Sequence, residues 1–373
     1  MPAAKIVHLT PIRDPFEPRT FFEAEGAAAG GFEVVVVAPH HSDEQRDEVT
    51  VLAVPRARNR LERIIWTNFR CLRRGLATKA DIYHLHDPEF ILWGLLLRLL
   101  GKPVIYDVHE DYVTAAMVRP WLPDWARPLL AGAVRLLNDT ARRAFVIVIA
   151  ERYYDRSFPG AVQVLNYAKL EEYGDVSVIR REPSAHDPIR LLYAGAITES
   201  RGARQHLRLL RQLPENARLR LIGFCDTDAL AADLEAAAQD QRLELVSSRQ
   251  WLPREQIAAS YALPWTAGIA LFPDTPHYRE KELTKFFEYM AAGLPIICSD
   301  FPVWRELVEG NRLGLCVDPE DDEAAVTATH WLAAHPQEAR AMGERGRQLV
   351  RERFNWGSQM RILNDLYRRM LDV

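Results

Sequence analysis

Short apolar runs recur along the chain at helix-length intervals, the pattern of strands covered on both faces in a parallel sheet. Ile6 to Leu9 is the first, followed by a Pro-containing loop from Thr10 to Pro18 read with Arg13, Asp14 and Arg19. A helical stretch from Phe21 to about Ala29 leads through Gly30-Gly31 into Glu33 to Ala38, whose unbroken valines complete a β-α-β unit. Further strands are predicted at Val49 to Val54, Asp81 to His86, Val104 to His109, Phe145 to Ile149 and Val162 to Leu165. After Asn166 the chain turns polar, and Glu171 to Asp187 reads as a linker. The alternation then restarts with runs at Ile189 to Ala194, Leu219 to Ile222, Leu243 to Ser247, Gly268 to Phe272, Ile296 to Ser299 and Leu313 to Val317. Helices are expected at Asp321 to Ala334, Glu338 to Arg353 and Gly357 to Leu371. The pattern predicts an α/β protein of two doubly wound, Rossmann-like domains, residues 1–170 and 171–355, with 356–373 as a closing helix. Ligands of such sheets bind at the carboxyl ends of the strands, so two in tandem are expected to face each other across a cleft.

One stretch joins charge, helix and strand. Tyr278 to Ser299 places Glu280 and Glu288 on either side of Lys285, and an apolar helix pattern runs to Ala-Ala-Gly-Leu-Pro and the strand at Ile296. Thr284 is the expected N-cap, and Gly293 with Pro295 ends the helix after roughly two turns. The amides of Lys281 to Lys285, Leu283 and Thr284 among them, then form a helix start beside an ammonium, which suits a phosphate or diphosphate. Two glutamates and a lysine near a helix start are also ordinary surface charges, so this stretch gains meaning only from its surroundings.

Composition narrows the function class. The 373 residues are 48% hydrophobic and 26% charged, as in soluble globular proteins. A net charge of −4 argues against a nucleic-acid partner. Up to Leu165 there are 21 Lys and Arg against 20 acids, and beyond it 26 against 31. Cys71, Cys225, Cys298 and Cys316 are scattered without a C-x-x-C pair and read as reduced packing residues of a cytoplasmic protein. The chain enters its first strand without a signal-like segment. The apolar run Phe90 to Leu97 is broken by Arg98, far short of the roughly 20 residues of a membrane span.

Several clusters could carry chemistry. His84, His86 and Asp87 end one strand and His109 another; alternate strand residues share a face, so a zinc site for a hydrolase and strand-end histidines bonded to backbone both remain open. His109, followed by Glu110-Asp111, suits a catalytic role at a substrate hydroxyl. Leu191 to Gly202 reads as a strand, a glycine turn at Gly195 and a helix start, where Arg201 could grip a phosphate; Gly223 ends the neighbouring strand. Between Arg56 and Lys79 eight basic residues face Glu62 alone, interleaved with Ile64, Ile65, Trp66 and Phe69. That basic amphipathic pattern suits an anionic membrane surface, and equally a solvated helix packed on the sheet; Trp121 and Trp125 extend it.

Together these segments resemble the bacterial family 4 glycosyltransferases of the GT-B fold over nearly the whole chain. IVHLTPIRDPFEPRTF looks like that family's first strand and acceptor loop, DIYHLHDPE and VIYDVHEDY like its third and fourth strand ends, and VLNY like the strand before its linker. The Glu280 to Glu288 spacing resembles its E-x7-E motif, continued by EYMAAGLPII. The resemblance implies retaining transfer of a sugar from a nucleotide diphosphate sugar, UDP- or GDP-linked, to a saccharide or lipid-linked acceptor in cell-surface polysaccharide synthesis. It implies Glu288 on the ribose, Glu280 on the donor sugar, Arg201 on the phosphates and His109 beside the reacting sugar. Arg13, Arg19, His86, Asp87 and Asn166 are then expected on the acceptor side. Neither a metal nor a cofactor is expected, because cationic side chains and helix ends balance the diphosphate. A nucleotide-sugar epimerase of the same fold is the nearest alternative. The family often has arginine where Ala196 stands, which makes Lys285 the expected replacement, and Lys281-Glu282-Leu283 departs from its usual small residues or proline. The resemblance also implies that the helix from Trp356 crosses back onto the first domain.

Overall fold

The computed structural model describes residues 3–117, 123–173, 187–250 and 252–372. Most of the expected linker, and Trp121 of the proposed membrane surface, lie outside the described residues. The chain separates into two compact units, Met1–Asn166 with Gly357–Val373, and Tyr167–Trp356.

Along the first unit run β1 (Lys5–Leu9), α1 (Pro18–Ala29), β2 (Glu33–Pro39), β3 (Glu44–Arg46), β4 (Val49–Val54), α2 (Arg60–Glu62), α3 (Asn68–Ala77), β5 (Ile82–Leu85), α4 (Ile91–Leu99), β6 (Val104–Val108), α5 (Tyr112–Met117), α6 (Ala126–Ala144), β7 (Val146–Ile149) and β8 (Val162–Gln163). Its sheet has the order β3-β4-β2-β1-β5-β6-β7-β8. All pairs are parallel except the short edge strand β3, which returns antiparallel on β4 and was not legible as a strand. The strand order reverses at β1, which is flanked by β2 and β5, so the carboxyl ends of β1, β5 and β6 form the edge where ligands of open sheets bind.

The second unit contains β9 (Arg190–Ala194), α7 (Ala203–Gln212), β10 (Arg218–Ile222), α8 (Asp228–Ala237), β11 (Leu243–Val246), α9 (Arg254–Tyr261), β12 (Ala267–Ala270), α10 (Thr284–Ala291), β13 (Ile296–Ser299), α11 (Pro302–Val308), β14 (Gly314–Val317), α12 (Asp322–Ala334) and α13 (Pro336–Glu352). Its sheet runs β11-β10-β9-β12-β13-β14, parallel throughout, with the reversal at β9. The last helix, α14 (Trp356–Leu371), belongs from Gly357 onward to the first unit. There the Asn364 amide donates to Gly26 O at 3.0 Å, and the Leu165 amide donates to Gln359 Oε1 at 2.8 Å.

Two helix starts differ from expectation. Helix α1 begins at Pro18 rather than Phe21, because proline at the first helical position needs no N–H partner and the Glu17 carboxylate accepts from the Thr20 amide. This draws Arg19 out of the loop and into the first helical turn. In α10 the capping position falls to Leu283, in extended backbone, and Thr284 is already helical, so no side chain caps the start. The Phe286 amide donates to Leu283 O at 3.0 Å, so the missing cap leaves only the amides before it without a side-chain acceptor.

Gly202 shows how tightly the second unit is set. Its φ is +78°, and a Cβ there would sit 1.7 Å from Leu271 O. Gly202→Ala therefore combines left-handed backbone with a clash against main chain that has no rotamer to escape into. Its unfolding free energy is expected to fall by about 2–4 kcal/mol, read from the denaturant midpoint at unchanged slope. A wild-type midpoint would refute the close approach.

Candidate functional site

In the second unit the carboxyl ends of β9 and β10 meet as bare backbone. Gly195 (φ +122°) and Gly223 (φ +148°) approach so closely that a Cβ on Gly223 would lie 2.0 Å from Gly195 O. Beside this glycine floor stands Lys285 of α10; a Cβ on Gly195 would be 3.4 Å from its Nζ. The side chain is 7% exposed, with Nζ 4.5 Å from the Tyr193 ring centre, 5.3 Å from that of Phe272 and 3.4 Å from the Tyr193 hydroxyl. Arg201, on the turn after Gly195, donates from Nε to the Tyr278 hydroxyl at 3.3 Å. Neither cation forms an ion pair among the described residues. Burial and then the like charge of Arg201 push the Lys285 pKa down to about 7, against a smaller opposing pull from Glu288.

Glu288 is one turn further along α10 and is held from two sides. The Tyr261 hydroxyl donates to Oε2 at 2.7 Å and Arg254 reaches Oε1 at 3.5 Å. Arg254 is itself fixed by Glu172, Nε to Oε2 at 2.6 Å. Glu280 lies half-buried in the turn before α10. Behind the site the Leu271 amide donates to His206 Nε2 at 3.1 Å, and burial together with Lys285 pushes that imidazole's pKa to about 3, keeping it neutral. The Ser299 hydroxyl ties the Phe272 backbone amide and carbonyl at 2.7 Å each. Tyr193, Tyr261, Arg254 and His206 were not singled out from sequence.

At the ligand edge of the first unit, imidazoles are linked in series. His8 Nδ1 lies 2.9 Å from His86 Nε2, and His86 Nδ1 lies 3.0 Å from His109 Nε2. His109 Nε2 is also 2.8 Å from Asp107 Oδ2. Burial acts first to lower the pKa values of His8, His84 and His86, favouring neutral rings. His84 pairs with the Tyr367 hydroxyl at 2.7 Å.

Three of the residues expected on the acceptor side are buried in internal contacts. Arg19 is 6% exposed and fully engaged: Nε and Nη2 donate to Asp107 at 2.8 Å each, Nη1 donates to Val164 O and Asn166 Oδ1 at 2.8 Å each, and Nη2 lies 3.1 Å from Glu23. It braces the core. Asp87, 1% exposed, accepts from the Thr10 hydroxyl at 2.9 Å, the Ile12 amide at 3.4 Å and Arg13 Nε at 3.4 Å, so it shapes the loop. His86 has no exposed surface and both ring nitrogens are engaged. Arg13 and Asn166 remain partly accessible.

The residues of the zinc reading are brought together in two groups. His8, Glu23, His84 and His86 converge, as do His86, Asp107 and His109. The imidazoles of His8, His86 and His109 share nitrogen lone pairs with each other, Arg19 already balances Asp107, and burial and then Asp107 push the Glu23 pKa up, favouring a neutral acid. His8 Nε2, His84 Nε2 and both Glu23 carboxyl oxygens have no hydrogen-bond partner among the described residues, while the Arg19 guanidinium stands 3.1 Å from Glu23.

Comparisons with known proteins agree with this geometry. A family model described as Glycosyltransferase Family 4 matches residues 21–156, and one described as Glycosyl transferases group 1 matches residues 177–349. Alpha-maltose-1-phosphate synthase of Mycolicibacterium smegmatis is 26% identical over 325 residues, covering 79% of this chain and 80% of that protein. Among solved structures, sucrose-phosphate synthase of Thermosynechococcus elongatus superposes with a TM-score of 0.76 at 19% identity over 99% of both chains. Anabaena HepE in complex with UDP superposes with a TM-score of 0.66 at 12% identity, over 98% of this chain and 100% of that one. With one model on each unit, the two together spanning most of the chain, the chain belongs to the family 4 glycosyltransferases of the GT-B fold, which transfer a sugar from a nucleotide sugar.

Proposed function

We propose that this enzyme is a retaining, metal-independent hexosyltransferase that moves a sugar from a nucleoside diphosphate sugar to a lipid-linked saccharide in cell-surface polysaccharide synthesis. The observation that carries the donor assignment is Lys285 against the Gly195 floor with Arg201 near enough to repel it, and with no carboxylate paired to either among the described residues. Two uncompensated cations beside an uncapped helix start await an anion of at least two charges, and a diphosphate supplies it without a metal. Glu288, aimed by Tyr261 and Arg254, takes the ribose; Glu280 takes the sugar hydroxyls; His109 lies beside the reacting sugar. The leaving phosphate oxygen accepts the acceptor proton, so no carboxylate base is assigned. A uridine nucleotide is favoured by the UDP held in HepE and by the UDP-forming trehalose-phosphate synthase of Burkholderia xenovorans, also among the similar structures.

A lipid-linked acceptor is supported by the surface of the first unit. Leu61, Ile65, Trp66 and Phe69 are exposed between Arg60 and Ala77, and Leu92, Leu96, Leu99 and Leu100 on and just after the adjacent α4. The two faces meet where the Phe69 and Trp93 rings lie 6.1 Å apart. The basic count is weaker than it reads in sequence, since Arg56, Arg60, Arg63, Arg70 and Arg74 each have an acidic partner. Arg58, Arg73 and Lys79 have none among the described residues. The names of the similar sugar-phosphate synthases favour a second reading, a soluble sugar phosphate as acceptor. Product analysis with each acceptor class separates the two, and product formed without any acceptor would instead indicate the epimerase.

Lys285 gives a signed pH dependence. Its folded pKa is pushed down to about 7 while the unfolded chain keeps the ordinary lysine value, so between them the unfolded chain holds the extra proton. The ligand-free protein therefore gains stability from this group as pH rises through that window. A bound diphosphate favours the ammonium, so binding takes up a proton and weakens above pH 7. UDP affinity by calorimetry is expected to fall by up to about tenfold per pH unit above 7. Lys285→Met should flatten this profile, raise the melting point of the ligand-free protein, and lower transfer by about 10²-fold or more. Equal transfer by the variant would sink the donor assignment.

The membrane reading is checked by vesicle co-sedimentation. Replacing Leu61, Trp66 and Phe69 with Ser is expected to weaken partition onto anionic vesicles by at least about tenfold, given roughly 1.5–3 kcal/mol per large apolar side chain removed from water. Unchanged partition would count against it.

A further inference from the structure

Asp107 was absent from the residues read as functional, yet the first unit's ligand edge is arranged around it. It lies on β6 two residues before His109, so the two side chains share a face of the strand. Its carboxylate has no exposed surface and is gripped by both Arg19 donors at 2.8 Å. It also lies against His109 Nε2 at 2.8 Å, His86 Nδ1 at 3.5 Å and the carboxyl of Glu23. Burial alone would raise the Asp107 pKa; Arg19, then His109 and His86, more than offset it and hold the carboxyl well below the ordinary range.

An ionised carboxylate only accepts hydrogen bonds, so the His109 nitrogen facing it must carry the hydrogen. A neutral His109 is then the Nε2–H tautomer and Nδ1 keeps its lone pair. The consequence runs inward. Of the two nitrogens near the carboxylate, His109 Nε2 is the closer, at 2.8 Å against 3.5 Å, so His86 Nδ1, 3.0 Å from His109 Nε2, accepts from that N–H; the His86 hydrogen then sits on Nε2 and is donated to His8 Nδ1 at 2.9 Å. One charge sets three rings. Nδ1 is the His109 nitrogen that makes no hydrogen bond among the described residues.

We propose that Asp107, clamped by Arg19, is a positioning residue that holds His109 as the Nε2–H tautomer and presents Nδ1 to accept a hydrogen bond from a hydroxyl of the sugar being transferred. This rests on the assignment of His109 to the reacting sugar. Asp107 touches no substrate itself. An asparagine in its place can donate its amide N–H to Nε2, which would move the ring hydrogen to Nδ1 and turn the acceptor into a donor.

The test has two arms on the full-length protein. In the first, nitrogen NMR of histidine-labelled protein, with the His109 signals identified by their loss in His109→Ala, should show a protonated Nε2 and a bare Nδ1. A protonated Nδ1 in the wild type would overturn the proposal whatever reaction the enzyme performs. In the second, Asp107→Asn should lower kcat by about 10²-fold, the lower range of what a well-placed imidazole supplies, with KM for the nucleotide sugar within about twofold. Combined with His109→Ala it should add no further loss, because it acts through that ring. Additive losses, or full activity in folded Asp107→Asn, would overturn it. Should the unpaired Arg19 prevent folding, Arg19→Gln with Asp107→Asn removes both charges and is read in the same way. Absence of nucleotide-sugar transfer in the wild type would defeat the assignment of His109 while leaving the tautomer measurement standing.

Discussion

A buried ammonium without a carboxylate beside it is the constraint that gives the second unit its meaning. Lys285 is enclosed by Tyr193 and Phe272, whose ring faces offer only the modest attraction of cation–π contacts, and Arg201 repels it. Desolvating a cation under those terms opposes folding, so the arrangement persists only because the rest of the unit over-determines it. The glycines at 195 and 223 are part of that determination: a Cβ on Gly195 would come within 3.4 Å of Nζ, and one on Gly223 would collide with Gly195 O at 2.0 Å. The parallel sheet supplies the remainder, since its order reverses at β9 and opens the edge at which these groups gather.

Arg19 offers the contrast that separates structural charge from functional charge in this protein. It too is buried, but Asp107, Glu23, Val164 O and Asn166 occupy its donors. Removing one member of such a pair costs about 3–5 kcal/mol because the partner is left charged and unpaired. A satisfied buried cation is architecture, whereas the unsatisfied ones underlie the proposed donor site. The same test sorts the carboxylates. Asp87 is used up in shaping a loop, whereas Glu288 is aimed by Tyr261 and Arg254 while retaining exposed surface.

This distinction explains what was legible in the sequence. Strand runs, the α10 stretch, Gly195 and Lys285 are local patterns; the fold followed from them, and the proposal for the donor residues rests on them. Arg19 looked like a loop cation because its partner is 88 positions away, and nothing local announces a contact of that range. Tyr261 is 27 positions from Glu288 and carries no motif. Asp107 was within reach of a period-two reading from His109, but a carboxylate in an apolar strand draws attention only once its neighbours are known to be an arginine and two imidazoles. The Thr284 cap failed for a subtler reason: hydroxyl residues suit the capping position, yet the backbone at Leu283 had already turned, and a difference of one residue decided which group fell there.

The surface of the first unit shows the same limit acting on charge counts. Eight basic residues against one acid in the segment 56–79 suggested an electrostatic face. Folding brings Asp14, Asp43 and Glu89 against several of them from elsewhere in the chain. Arg58, Arg73 and Lys79 remain without an acidic partner among the described residues, and each basic residue near an anionic leaflet contributes about 1 kcal/mol. The exposed Leu61, Trp66, Leu92 and Leu99 each contribute more than that when taken out of water. On the proposed membrane reading the apolar faces between residues 60 and 100 would therefore supply most of the attachment, and the arginines would set its preference for anionic lipid. Adhesion of that kind should survive salt that screens the charges, which distinguishes it from a purely electrostatic patch.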